Sequence, residues 1–149
     1  MAITKLSHQP FWDRVGKEAR DMIKKIIFDK GKTVYGGKWL DGKYSPAYTI
    51  AKKKYGGAFG NKVAPVLTQA LVNDFGSFIK PNPNGFQLGF PTYGDRVEGF
   101  RKRFGKKGTI TSEDRPMPMA VLKYVVREYH KHIKKNQTCV TRKHKIGRK

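Results

Sequence analysis

Cys139 is the single cysteine in 149 residues, so no internal disulfide can form and nothing points to an oxidising compartment. Acidic side chains are also sparse: 11 Asp and Glu stand against 32 Lys and Arg, a formal net charge of +21. Long apolar runs are missing. The best, Met22 to Phe28, is interrupted by Lys24 and Lys25, well short of the ~20 residues that a membrane-spanning helix requires. The opening Met1-Ala2-Ile3-Thr4-Lys5-Leu6 lacks the charged and apolar blocks of a secretory signal. These absences lead to the expectation of assembly in a reducing cytoplasm, with no membrane partner.

Catalytic signatures are lacking as well. The run Gly56-Gly57-Ala58-Phe59-Gly60-Asn61-Lys62 invites a phosphate-loop reading, but Asn61 separates Gly60 from Lys62 and Val63 replaces the Ser or Thr. His130, His132, Cys139 and His144 are the only soft-metal candidates. An i, i+2 histidine pair on a helix points to different faces and there is no second cysteine, so a surface histidine pair is expected. Asp95 and Glu98 lie in a basic stretch and balance Arg96 and Arg101 more simply than they make an acid–base pair. No nucleophile elbow, HExxH or dinucleotide fingerprint occurs. The expectation is a protein without catalytic, cofactor-binding or metal-ligating residues.

What is present is aromatic and basic. Nine Phe, seven Tyr and two Trp make 12% of the chain, too many for a wholly disordered basic polypeptide. The length suits one domain. No acid falls between Asp41 and Asp74, or after Glu128, where Lys131, Lys134, Lys135 and the terminal cations follow. A field of this size draws polyanions, nucleic acid first and an acidic protein surface second.

Periodicity supplies the elements. Trp12, Val15, Ala19, Met22, Ile23, Ile26 and Ile27 form one stripe and predict a helix from Pro10 to Lys30, stopped by Gly31. Val34 to Tyr44 reads as irregular around Trp39. Ser45-Pro46 reads as an N-cap and first-turn proline opening a helix through Lys54. A third helix is expected from near Ala64 or Pro65 to about Asn73. Phe75 to Ile79 and Phe86 to Phe90 read as a hairpin with Asn84-Gly85 as its turn. Tyr93 to Ser112 reads as a long basic loop closing on a short strand at Thr109 to Thr111. The last helix is expected from Met119 to Lys135, with Val121, Leu122, Val125, Val126, Tyr129 and Ile133 on its buried stripe. The fold class is therefore α+β, a small antiparallel sheet packed against N- and C-terminal amphipathic helices with long loops. Residues 1–135 form the single domain and 136–149 a basic flexible tail.

Taken in order, these features resemble a known family. An amphipathic helix and a Trp-containing loop precede Ser-Pro-x-Tyr-x-x-x-Lys-Lys-Lys-Tyr-Gly (Ser45 to Gly56) and Pro65-Val66-Leu67-Thr68-Gln69-Ala70-Leu71. A strand ending Gln87-Leu88-Gly89, a glycine-rich stretch with an aromatic and basic cluster, and Arg115-Pro116 before the last helix complete the succession. It resembles the tailed-phage virion morphogenesis proteins, also called tail-completion or neck proteins, over roughly residues 10 to 135. Thr68-Gln69 stands where the family has threonine-glycine, and Met117 where a phenylalanine often follows Arg-Pro.

The resemblance implies a non-enzymatic virion component of the head–tail junction, made in the host cytoplasm. It would form a homo-oligomeric ring between the connector or adaptor and the tail tube or terminator. The basic residues expected to meet a polyanion, either packaged double-stranded DNA or an acidic connector, are Arg101, Lys102, Arg103, Lys106 and Lys107. Arg142, Lys143, Lys145, Arg148 and Lys149 of the tail come next. Trp39 and Tyr44, in a loop too glycine-rich to form much core, are the expected subunit contacts. The alternative is a stand-alone basic nucleic-acid-binding module, such as a ribosome-associated or nucleoid protein.

Overall fold

The computed structural model describes residues 8–55 and 69–146. Among these the chain is α+β, with five α-helices and one two-stranded antiparallel sheet. The first helix, α1 (Gln9–Ile23), buries Trp12, Val15, Ala19 and Ile23. It widens into a π-helical turn over Lys24–Asp29, which turns both Ile27 and Phe28 inward. Gly31, at φ 60°, then leaves the helix in a left-handed conformation that a side chain would oppose.

Residues 32–38 fold back on themselves through an isolated bridge between Lys32 and Lys38. The Trp39 amide donates to Gly31 O at 2.8 Å, and Val34 N donates to Thr109 O at 3.0 Å. The second contact is all that remains of the strand expected at Thr109 to Thr111. Helix α2 (Pro46–Tyr55) starts as the sequence suggests: Ser45 Oγ accepts from Tyr48 N at 3.3 Å, the N-cap bond.

The expected start of the third helix, near Ala64 or Pro65, lies outside the described residues. Its described part, α3 (Gln69–Ser77), runs past Asn73 and takes in Phe75, which packs in the core instead of opening a strand. The hairpin follows as β1 (Ile79–Asn82) and β2 (Gly85–Leu88), paired Ile79 with Leu88 through Asn82 with Gly85. Its turn residues are Pro83 and Asn84, one position earlier than expected. Asn82 Oδ1 accepts from Asn84 N at 2.9 Å, an Asx turn that sets this register. The hairpin lies on α1, where a Cβ at Gly16 would come within 3.1 Å of the Phe86 ring. Any larger residue there would require the Phe86 ring to give by a few tenths of an ångström.

The segment expected as a long basic loop is largely helical. Helix α4 (Gly94–Phe104) carries Val97, Phe100 and Phe104 on one side, and Gly105 at φ 58° ends it. A short 3₁₀ turn, Gly105–Gly108, follows. Asp74, buried at the end of α3, accepts from Thr92 N and Tyr93 N at 3.1 and 2.9 Å and so fixes the turn into α4. The last helix, α5 (Met119–Ile146), packs on α1 and continues well beyond Lys135. The segment from 136, expected without periodic structure, has a helical backbone through Ile146. One core joins these elements, with Ile23, Ile27, Phe28, Trp39, Phe75, Val97, Ile110 and Val121 at its centre.

Candidate interaction surfaces

The basic run of α4 is built by the helix itself. With Val97 buried and Phe100 and Phe104 half-buried, Arg101, Lys102 and Arg103 fall on the outer face of its last turn, where cations complement the helix dipole. Arg101 donates to Glu98 through Nε (2.8 Å) and Nη2, and this bond holds the Glu98 carboxyl below its ordinary range. Lys102 Nζ stands 4.0 Å from the same carboxylate. Arg103 lies over the Phe104 ring and Lys106 over Tyr35, at 5.2 and 5.5 Å from the centroids. Lys107 pairs with Asp41 across the chain. The five expected polyanion contacts are therefore all exposed, within one short helical stretch, and Arg101, Lys102 and Lys107 already have carboxylate partners. Exposed ion pairs of this kind are weak. They lower the local charge without removing it.

Trp39 is only 2% exposed, with its ring edge-on to Phe100 at 5.7 Å. Its loop thus contributes to the core, against expectation, and the ring presents no surface to a neighbouring subunit. Leu40 and Asp41 reach this arrangement with φ of 47° and 57°, strained for a leucine and tolerated by an aspartate. Tyr44 is half-buried and meets Tyr48 at 4.6 Å. Both line a cleft of about 410 Å³ with Phe100 and Phe104, and Arg103 and Lys107 are at its rim. Burial pushes the Tyr48 hydroxyl above its ordinary value, which keeps it protonated.

Helix α5 divides its apolar residues between two faces. Val121 is fully buried and Val125 packs on the core. Met119, Leu122 and Val126 are 43%, 40% and 45% exposed, so the single buried stripe expected from the sequence is corrected. These three line a shallow groove of about 510 Å³ beside Lys123, Arg127 and Lys134. Among the remaining terminal cations, the side chains of Arg142, Lys143 and Lys145 lie outside the described residues, as do Arg148 and Lys149 altogether.

The two helical histidines diverge. His130 is exposed beside the groove, whereas His132 is half-buried and stacks on Phe11 at 4.1 Å. Only one member of the pair is therefore the surface histidine expected. His132 Nε2 lies in hydrogen-bond contact with His8 Nδ1 at 2.8 Å and with Asn136 Nδ2 at 3.2 Å. Burial, then the nearby His8, Arg14 and Lys135, push its pKa down. Among the described residues no three His, Cys, Asp or Glu side chains converge on a common point.

Comparison with protein families, with curated proteins and with solved structures yields no match to this chain. The surface that sequence reasoning missed is the outer face of α5. One signal was available: apolar residues at 119, 121, 122, 125, 126, 129 and 133 span a wider arc than one packed face can cover.

Proposed function

We propose that the protein is a non-enzymatic structural component of the head–tail junction of a tailed phage, a neck or tail-completion protein. It assembles as a homo-oligomeric ring joining the connector or adaptor to the tail tube or terminator, in the virion after assembly in the host cytoplasm. The order of sequence segments suggests the family. The observation that carries the assembly role is the apolar outer face of α5, a surface left for a partner protein of the junction to cover. The exposed cations of α4 serve such a ring either toward the DNA passage or toward an acidic connector, through nonspecific and salt-dependent contacts. Trp39 is withdrawn from the subunit contact because it is buried; Tyr44 stays at the edge of the cleft.

Cryo-electron microscopy of the neck in purified particles tests this reading. Density for a ring of this chain between connector and tail is the expected result. Its absence from otherwise complete particles overturns the proposal. A stand-alone nucleic-acid module is favoured only by the α4 cations. Such a module shifts free DNA or RNA as a monomer, with affinity falling steeply as salt rises.

A further inference from the structure

We propose that the outer face of α5 is a docking site for an acidic amphipathic helix of a partner protein. The inference rests on the assembly reading above and specifies the chemistry of the partner's face.

Met119, Leu122, Val126 and His130 recur in steps of three and four, so they lie along one line of the helix. Lys123, Arg127, Lys131 and Lys134 form the adjoining line by the same spacing. Val121 and Val125 take the opposite side into the core. Glu128 is the sole acid in α5; its carboxylate accepts from Lys131 at 3.0 Å and lies 3.9 Å from Arg127 and 3.4 Å from Arg14 of α1. The exposed face is thus an apolar ridge flanked by a column in which four cations stand against the one Glu128 carboxylate, itself shared with Arg14, so the column keeps a net positive charge.

Four kinds of occupant meet this surface differently. A second copy would bring its own +21 and its own cation column against this one. Double-stranded DNA would satisfy the cations and leave Met119, Leu122 and Val126 without an apolar partner. A bilayer surface needs a broad apolar face, and this ridge is narrow because Val121 and Val125 are committed to the core and cations stand beside it. A helix with apolar residues at three- and four-residue steps and Asp or Glu beside them satisfies both lines at once. Charge complementarity therefore selects the acidic helix.

The test is a display selection on the full chain. The library holds helical peptides of about five turns, with apolar residues fixed along one line and Asp, Glu, Lys or Gln varied beside it. The expected result is enrichment of Asp and Glu. Binding of an enriched peptide should fall at least ~10-fold in the Leu122→Glu/Val126→Glu variant. It should fall comparably in Lys123→Glu/Arg127→Glu/Lys131→Glu and return when the peptide acids are exchanged for Lys. Circular dichroism and melting temperature identify variants that fold. No enrichment of acids, or binding that survives both variants, overturns the inference. So does displacement of the peptide by phosphatidylserine vesicles or a DNA duplex whose own binding is untouched by Leu122→Glu/Val126→Glu. A neck ring whose α5 ridge faces solvent overturns this inference alone, whereas acid-selective binding by a chain absent from particles overturns the neck reading alone.

Discussion

Trp39 and His132 are the two side chains whose surroundings say most about their energetics. Trp39 is wedged between the 32–38 fold-back and α4, so truncation leaves a cavity that the left-handed turn beside it cannot close. Trp39→Ala should cost about 3–5 kcal/mol, read as a lowered urea midpoint. An unchanged midpoint would mean that the loop packs more loosely than this. His132 sets a pH dependence whose sign follows from its depressed pKa. The unfolded chain takes up a proton near the ordinary histidine value of 6.5, while the folded chain resists until a lower pH. The unfolded state then binds more protons, so stability is fully present above that value and is lost as pH falls from it through the folded pKa. His8 and Arg14 from the α1 side and Lys135 from α5 all face the ring and oppose its charge. Melting temperature against pH should therefore fall on acidification through this window, with a shallower slope in His132→Gln. Equal slopes in the two proteins would count against this role.

Helix α4 is the element where local composition and tertiary context disagree. Gly94, Gly99, Gly105 and Gly108 made the segment read as loop, and that reading gave too little weight to Val97, Phe100 and Phe104 at helical spacing. A glycine inside a helix costs about 1 kcal/mol, which burial of Val97 and the Asp74 anchor at the preceding turn offset. Asp74→Ala removes the acceptor shared by the Thr92 and Tyr93 amides and should destabilise by about 1–3 kcal/mol. Hydrogen exchange should show the loss first in α4, and uniform loss across the chain would argue against a local anchor. Gly108 constrains the other end of the same element. A Cβ there would stand 2.7 Å from Phe104 Cβ and 3.0 Å from Phe100 O, so Gly108→Ala forces α4 and its 3₁₀ turn apart. A cost of about 1–3 kcal/mol is expected by denaturant titration. The first helix, by contrast, was legible because its stripe is long and ends at a glycine. Only the π-helical widening over Lys24–Asp29 escaped notice, since an extra residue in one turn leaves almost no trace in a periodic pattern.

For the molecule as a whole, charge opposes compactness. With 32 cations and 11 anions, self-repulsion outweighs the exposed ion pairs that salt also weakens. Raising ionic strength from about 0.01 to 0.15 M, which shortens the Debye length from about 30 to 8 Å, should raise the melting temperature. A fall would mean that local pairs such as Arg101–Glu98 dominate.

The chain's own order of residues determined the α+β class, the amphipathic first and last helices, the capped start of α2, the presence of a hairpin before residue 90 and the strong excess of positive charge. These follow from spacing and side-chain chemistry, which are local. Tertiary structure decided the rest. It drew Trp39 inward, made α4 a helix, pulled His132 against Phe11 and left Leu122 and Val126 outside while Val121 went in. The physical reason is common to all four: a periodic pattern identifies which residues can be buried, but the neighbours available to cover them decide which ones are.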